Sequence, residues 1–387
     1  MTFPTLKRYA APYYRNLGGW RTRRKILVIE SDDWGSIRMP SRQVYERCLK
    51  AGYPVDRTWY ERYDSLLSED DLELLFDVLS SFRDAEGRHP MITANVIVGN
   101  PDFEAIKETD FQTYQYELIT ETFQRYPKHH RCWSLWQEGQ RTGVLMPQFH
   151  GREHLNVAMF MSALRDGNPD MKFAFDNRMP GCIPKGPKRG PNLYVETTRF
   201  RSRDEKAAVL AATLEGLDLF EQLFGFRSRT FIPTNYVWSS DFDKAVREAG
   251  IEGYQGLRVM KAQQVDGTTH SVQRRLGGRN SLGQTYLTRN AFFEPSLSQA
   301  PRMDVVDQCL RDIRAAFRMG KPAIISIHRI NFCGFVDEKN RDENLKALRE
   351  LLQSIIEKYS DVEFFSSDGL VDVVRADRRE LTEDWRR

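Results

Sequence analysis

The residues best able to do chemistry in this sequence are Asp32 and Asp33, His150 and His154, and His328. Adjacent carboxylates at the end of a buried strand repel one another. Keeping both ionised there requires a cation or hydrogen-bond donors. The run His150-Gly-Arg-Glu-His154 has the i, i+4 spacing that sets two imidazoles on one side of a helix, as in zinc sites. One aspartate with two histidines makes an open ligand set, three protein ligands with a position left for water. A cation held this way brings the pKa of water toward ~7 and polarises a carbonyl. The second aspartate is then free to take a proton, and His328 is the natural acid for a departing amine or alcohol. The other histidines, His89, His129, His130 and His270, have no comparable placement.

These residues can act together only if the chain brings them to one place. Short apolar runs read as buried strands at 25–31, 91–98, 144–150, 172–176, 229–235, 254–259, 284–290 and 322–328, with a weaker one from Asp361. Helical stripes lie between them: Leu210, Leu214, Leu217 and Phe224; Val306, Leu310, Ile313 and Phe317; Leu345, Leu348, Leu352 and Ile355. An extra helix is expected within 50–85, from Leu72, Leu74, Leu75 and Leu79. The stretch 180–192 reads as an exposed loop, and 261–283 as a connection or small hairpin. Strand–helix alternation repeated seven or eight times predicts a parallel α/β fold, and the count favours a (β/α) barrel over an open sheet. Asp32, Asp33, His150, Asp176, Asn235 and His328 all fall at or just beyond strand ends. A parallel barrel puts such ends on one face, where active sites are built. Trp34, Tyr236, Trp238, Phe292 and Phe293 also end or follow strands and are candidates to stack on sugar rings.

The motifs resemble those of the polysaccharide deacetylase superfamily, the NodB-homology or carbohydrate esterase 4 group. Glu30-Ser31-Asp32-Asp33 is similar to that family's Thr-Phe-Asp-Asp, which implies Asp32 as catalytic base and Asp33 as metal ligand. His150 through His154 is similar to its His-Ser/Thr-x-x-His, with Gly151 where the family has a hydroxyl residue. Ser326-Ile327-His328 is similar to its Leu-x-His and implies His328 as the acid. The family's Arg-x-Pro motif is replaced by Phe231-Ile232-Pro233-Thr234-Asn235-Tyr236, so the arginine that orients the base is missing there. Arg152, Arg289 and Asn235 are candidates to replace it. The family's further motif with an aspartate before a tryptophan is not evident. Arg289 to Glu294 occupies that region. Asp32-Asp33-Trp34-Gly35 also resembles the Asp-Asp-Phe-Gly of YdjC-like deacetylases. The resemblance implies a distorted (β/α)7–8 barrel, one divalent metal (zinc by default, with nickel, cobalt or manganese as alternatives) and removal of an acetyl group from a sugar or glycan precursor. The substrate-binding candidates are Trp34, Arg152, Asp176, Asn235, Tyr236, Arg289 and Glu294.

Composition narrows the alternatives. Of 387 residues, 40% are hydrophobic, enough for a substantial core. The net charge of +3, from 57 basic and 54 acidic residues, is too balanced for a nucleic-acid binder. No apolar run reaches the ~18 residues of a membrane span, and no signal-peptide pattern is seen. The five cysteines include no C-x-x-C pair. A cytoplasmic protein is expected, acting on a nucleotide- or lipid-linked sugar, with the basic stretches 21–25 and 185–189 attracting its phosphates. The expected organisation is an N-terminal basic and aromatic segment, 1–21, one barrel, 22–375, and a charged tail, 376–387. Two other functions fit the pattern. A glycoside hydrolase would pair Asp32 with Asp176 or Glu294 across a metal-free pocket. A non-catalytic glycan- or membrane-associated protein would use Leu6, Lys7, Arg8, Tyr9, Tyr13, Tyr14, Arg15 and Trp20 at an anionic surface.

Overall fold

The computed structural model describes residues 10–185 and 193–384. Nine strands form the main sheet: β1 Lys25–Trp34, β2 Ile92–Ile97, β3 Leu145–Gly151, β4 Thr230–Phe231, β5 Gly253–Gly256, β6 Thr285–Thr288, β7 Ala291–Phe292, β8 Ala323–His328 and β9 Val362–Phe365. The sheet order is β6-β5-β4-β3-β2-β1-β8-β7, and β9 pairs the start of β1. Every ladder is parallel. The two edge strands, β6 and β7, are consecutive in the chain with only Arg289 and Asn290 between them. Three residue steps span at most about 10 Å, so the two edges must lie side by side and the sheet must curl. Arg289 N donates to Gly256 O (2.8 Å) and Asn290 N to Ile324 O (3.1 Å), so these two residues stitch the seam. The architecture is therefore the expected distorted barrel, closed by chain rather than by a ladder.

The period of two along each strand divides its residues between two environments. On β1, Leu27 and Ile29 join the large core beneath the outer helices, which include Arg203–Phe224, Arg302–Arg318 and Glu338–Lys358. Ile26 and Val28 join a second cluster inside the barrel with Leu287, Ile324, Leu370, Val371 and Trp20. The inward positions continue upward as Glu30 and Asp32. The barrel is thus plugged with apolar side chains at one end and charged at the other.

Two expectations about elements are corrected. Residues 172–176 are not a strand but part of the helix Pro169–Asp176. Asn168 caps its N-terminus and Pro169 occupies the first turn, a start signal that outweighs a short apolar run. The run 229–235 contributes only Thr230–Phe231, because Pro233 has no N–H to donate and a tight turn follows at Thr234–Tyr236. The polar stretch 261–283 does hold a hairpin, Val259–Gln263 with Thr269–Gln273, and the extra helix is Glu69–Ser80. In the N-terminal segment, Trp20 is buried in the plug and Arg15 pairs with Asp312, so neither is free to meet a membrane. Tyr13 and Tyr14 are exposed. Leu6, Lys7, Arg8, Tyr9, Lys188 and Arg189 lie outside the described residues. No helix among the described residues is long and apolar enough to cross a membrane.

The plug generates a stability prediction. Leu370 is fully buried in it, so Leu370→Ala should cost about 2–5 kcal/mol by urea denaturation. A loss below about 1 kcal/mol would show that the helix Ser367–Asp384, which carries Leu370, does not support the barrel.

Candidate metal centre

Side chains of consecutive strand residues point to opposite faces, so Asp32 and Asp33 ought to separate. They do not, because β1 carries a bulge there. Ser31 pairs with Ala94 but Trp34 with Val96, leaving one extra residue on β1. Asp33 takes a left-handed φ of 72°, and both carboxylates enter one cavity. A second bulge falls at His150: Val96 pairs with Phe149, and Ile97 with Gly151. Gly151 then turns at φ 157°. There a Cβ would meet Glu153 O at 3.1 Å, and the chain returns to deliver His154. The two histidines share a site through a strand end and a turn. The helical i, i+4 placement is corrected, since the next helix begins only at Val157.

His150 Nε2 lies 3.4 Å and His154 Nε2 3.1 Å from Asp33 Oδ1. Bonds of about 2.0–2.2 Å at tetrahedral angles separate ligand atoms by about 3.3–3.6 Å, close to both of these distances, and all three ligand atoms lie within 4.8 Å of one another, which makes them a candidate cation site. The donor chemistry also fits. His150 Nδ1 sits 2.7 Å from Ile232 O, which can only accept. The proton must therefore be on Nδ1, leaving the Nε2 lone pair for a metal. Burial pushes the His154 pKa down, toward the neutral ligand form. Burial opposes ionisation of Asp33, but Arg38 and His154 outweigh it and hold the carboxyl well below its usual range.

Asp32 is held separately. Arg289 donates to both of its oxygens, each at 2.6 Å, and Asn95 Nδ2 adds a bond of 2.7 Å. Burial raises the Asp32 pKa, yet Arg289 overrides it and brings the value down to about 2. The same guanidinium donates from Nε to Glu30 Oε2 at 2.6 Å. Opposite stands His328. Its Nδ1 donates to Glu294 Oε1 at 2.6 Å, and its Nε2 is 3.6 Å from Asp32 Oδ2. Burial would lower its pKa, but Glu294 and Asp32 lift it to about 9, so Nε2 carries a proton at neutral pH.

Asp32, Asp33, His150, His154 and His328 line a cavity of about 540 Å³, within the range of small-molecule sites. Tyr60, Tyr194, Tyr236, Ile183 and Pro233 supply its apolar walls, and Thr58, Glu61 and Asn235 its polar ones. Asn235 and Tyr236 both have left-handed backbones, φ 52° and 59°. Of the substrate-binding candidates, Asn235 and Tyr236 line the cavity, Arg289 clamps Asp32, and Glu294 partners His328. Three are corrected. Trp34 is turned by the bulge into the helix-side core. Asp176 is exposed at a helix end beside Lys172. Arg152 pairs with Glu153 and Glu215 outside the barrel. Phe293 is buried and Phe292 packs under Arg15, so neither lines the cavity. A two-carboxylate pair finds little here, with Asp176 remote and Glu294 bonded to His328. Sequence reasoning missed Asn95, Tyr60 and Arg38, which donates to Asp33 Oδ2 at 3.0 Å. Asking what neutralises the second aspartate would have pointed to an arginine.

No family model and no curated relative matches this sequence. Among solved structures, the "putative polysaccharide deacetylase" of Mycobacterium smegmatis is similar at 12% identity and TM-score 0.42, covering 94% of both chains. An allantoinase is similar at 11% identity and TM-score 0.44, over 94% of this chain and 95% of its own. The 4-alpha-glucanotransferase of Thermococcus litoralis, at 12% identity and TM-score 0.42, matches 89% of this chain, which spans 40% of the glucanotransferase.

The His328–Glu294 pair makes stability depend on pH. Folding raises the His328 pKa from 6.5 to about 9, so its contribution is complete below 6.5 and disappears as pH rises through about 9. Unfolding free energies from denaturant titration should therefore fall across that window by on the order of 3 kcal/mol. The decline should be absent in His328→Gln. An identical decline in that variant would assign it to another group.

Proposed function

We propose that this protein is a metal-dependent hydrolase that removes an acetyl group, N-linked rather than O-linked, from a sugar or glycan precursor. The observation that carries the reading is the convergence of His150 Nε2 and His154 Nε2 on one oxygen of Asp33, with ionised Asp32 and protonated His328 facing each other beside it.

Asp33, His150 and His154 would hold one divalent cation, zinc by ligand type. The chemistry such a cation supplies when bound is polarisation of the scissile carbonyl and acidification of water. Asp32 takes the proton from the attacking water. Its own pKa is low, so it holds that proton only briefly and passes it to His328 Nε2, 3.6 Å away, once His328 has given its own to the leaving amine. Arg289 and Asn95 aim its oxygens and keep it ionised, the orienting role that the Phe231–Tyr236 segment does not fill. His328 keeps its proton on Nε2 because Glu294 accepts from Nδ1, and it delivers that proton to the leaving amine. The walls of Tyr60, Tyr194 and Tyr236 suit the apolar faces of a sugar ring, with Asn235 and Thr58 available to its hydroxyls.

Acetate release from N-acetylated sugars should be abolished by chelation and restored by zinc or another divalent ion. Asp32→Asn should lower kcat about 10²–10⁴-fold while metal analysis still finds a full complement. Activity should also fall as pH rises through about 9, where His328 loses its proton. Acetate release that persists in metal-free Asp33→Ala would overturn the mechanism.

A further inference from the structure

Asp33 has two oxygens, and only Oδ1 faces the histidines. The other, Oδ2, receives Nη2 of Arg38 at 3.0 Å. Arg38 Nε in turn lies 2.8 Å from Asp64 Oδ2. Asp64 is fully buried and is gripped from its far side by the equally buried Arg329, with Nε to Oδ1 at 3.0 Å. The Arg38 guanidinium is further confined by the Tyr60 ring, 4.8 Å from its centroid. Charges thus alternate along Asp33, Arg38, Asp64 and Arg329, from the end of β1 to the residue after His328.

We propose that Arg38 is a positioning residue of the metal centre, occupying Oδ2 of Asp33 so that this ligand offers the cation a single oxygen. The inference rests on the metal reading given above. A carboxylate free to rotate can chelate a cation through both oxygens, which crowds the position that water and substrate need. Arg38 blocks that mode. Asp64 and Arg329 hold Arg38 in register. The guanidinium suits the task because its planar fork meets two carboxylates in a fixed geometry, which the freely rotating ammonium of a lysine does not impose.

Direction separates this role from that of a bystander charge. By electrostatics alone, removing a cation near a divalent ion should tighten its binding. Loss of a group that orients a ligand should weaken it, typically about 10–100-fold. Titrating the metal-free protein with Zn²⁺ should therefore show Arg38→Met binding about 10–100-fold more weakly than wild type. With Co²⁺, the visible bands should lose intensity as a further oxygen joins the ion. Arg38→Lys keeps the charge, leaves Asp64 paired with Arg329, and should weaken binding in the same direction. It also guards against a fold lost in Arg38→Met, which thermal unfolding of both variants will reveal. Zinc binding as tight as wild type or tighter in the folded variants overturns the inference, as does an unaltered cobalt spectrum. A wild-type protein that takes up neither ion overturns the metal reading itself.

Discussion

Burying carboxylates at the mouth of a barrel is the constraint around which this structure is organised. Glu30, Asp32, Asp33 and Asp64 are all nearly inaccessible to water. Each buried charge without a partner costs several kcal/mol, and removing one member of a buried pair typically costs 3–5 kcal/mol. The chain answers with two rows of alternating sign. One runs from Glu30 through Arg289 and Asp32 to His328 and Glu294. The other runs from Asp33 through Arg38 and Asp64 to Arg329. Both begin on β1 and end on or just after β8, or on the segment leading to it, so the charges also tie neighbouring parts of the barrel together.

The two rows treat adjacent aspartates differently, and that difference is what makes the site usable. Asp32 has both oxygens engaged by arginine and stays ionised without a metal. Asp33 has one oxygen engaged and one turned toward two imidazoles. Identical residues, one peptide apart, acquire distinct chemistry from the donors they meet. The separation depends on backbone irregularity. Bulges at Asp32–Asp33 and at His150 break the period of two and bring the candidate ligands Asp33, His150 and His154 to one place. The left-handed Asp33 is a cost the surrounding hydrogen bonds sustain, with Ser36 donating from N and Oγ to its carbonyl.

Stability and chemistry occupy opposite ends of the same interior. Ile26 and Val28 at one end of β1 pack in an apolar plug, while Glu30 and Asp32 at the other end stand among polar side chains. Between them, Gln148, Thr230 and Gln255 form a buried hydrogen-bonded layer that links to Asp32 through Asn95. That layer is buried and internally hydrogen-bonded, so it adds rigidity beneath the site.

Much of this was legible from local pattern. The runs of β1, β3 and β8 are apolar and end in Asp32, His150 and His328. A parallel barrel gathers strand ends whatever the rest of the sequence does, so the metal candidates followed from position. Asp176 failed by the same reasoning, because the run before it is a helix begun by Asn168 and Pro169. Trp34 failed because a bulge, which no short pattern announces, turned it into the core. The partners of the charges were beyond local reading altogether. Arg289 is 257 residues from Asp32 and meets it only because the sheet curls until its edges adjoin. Sequence alone determined which residue types stand at the ends of strands, since hydrophobic periodicity is a local property. Only tertiary structure decided which arginine answers which carboxylate, since electrostatic pairing depends on distance in space.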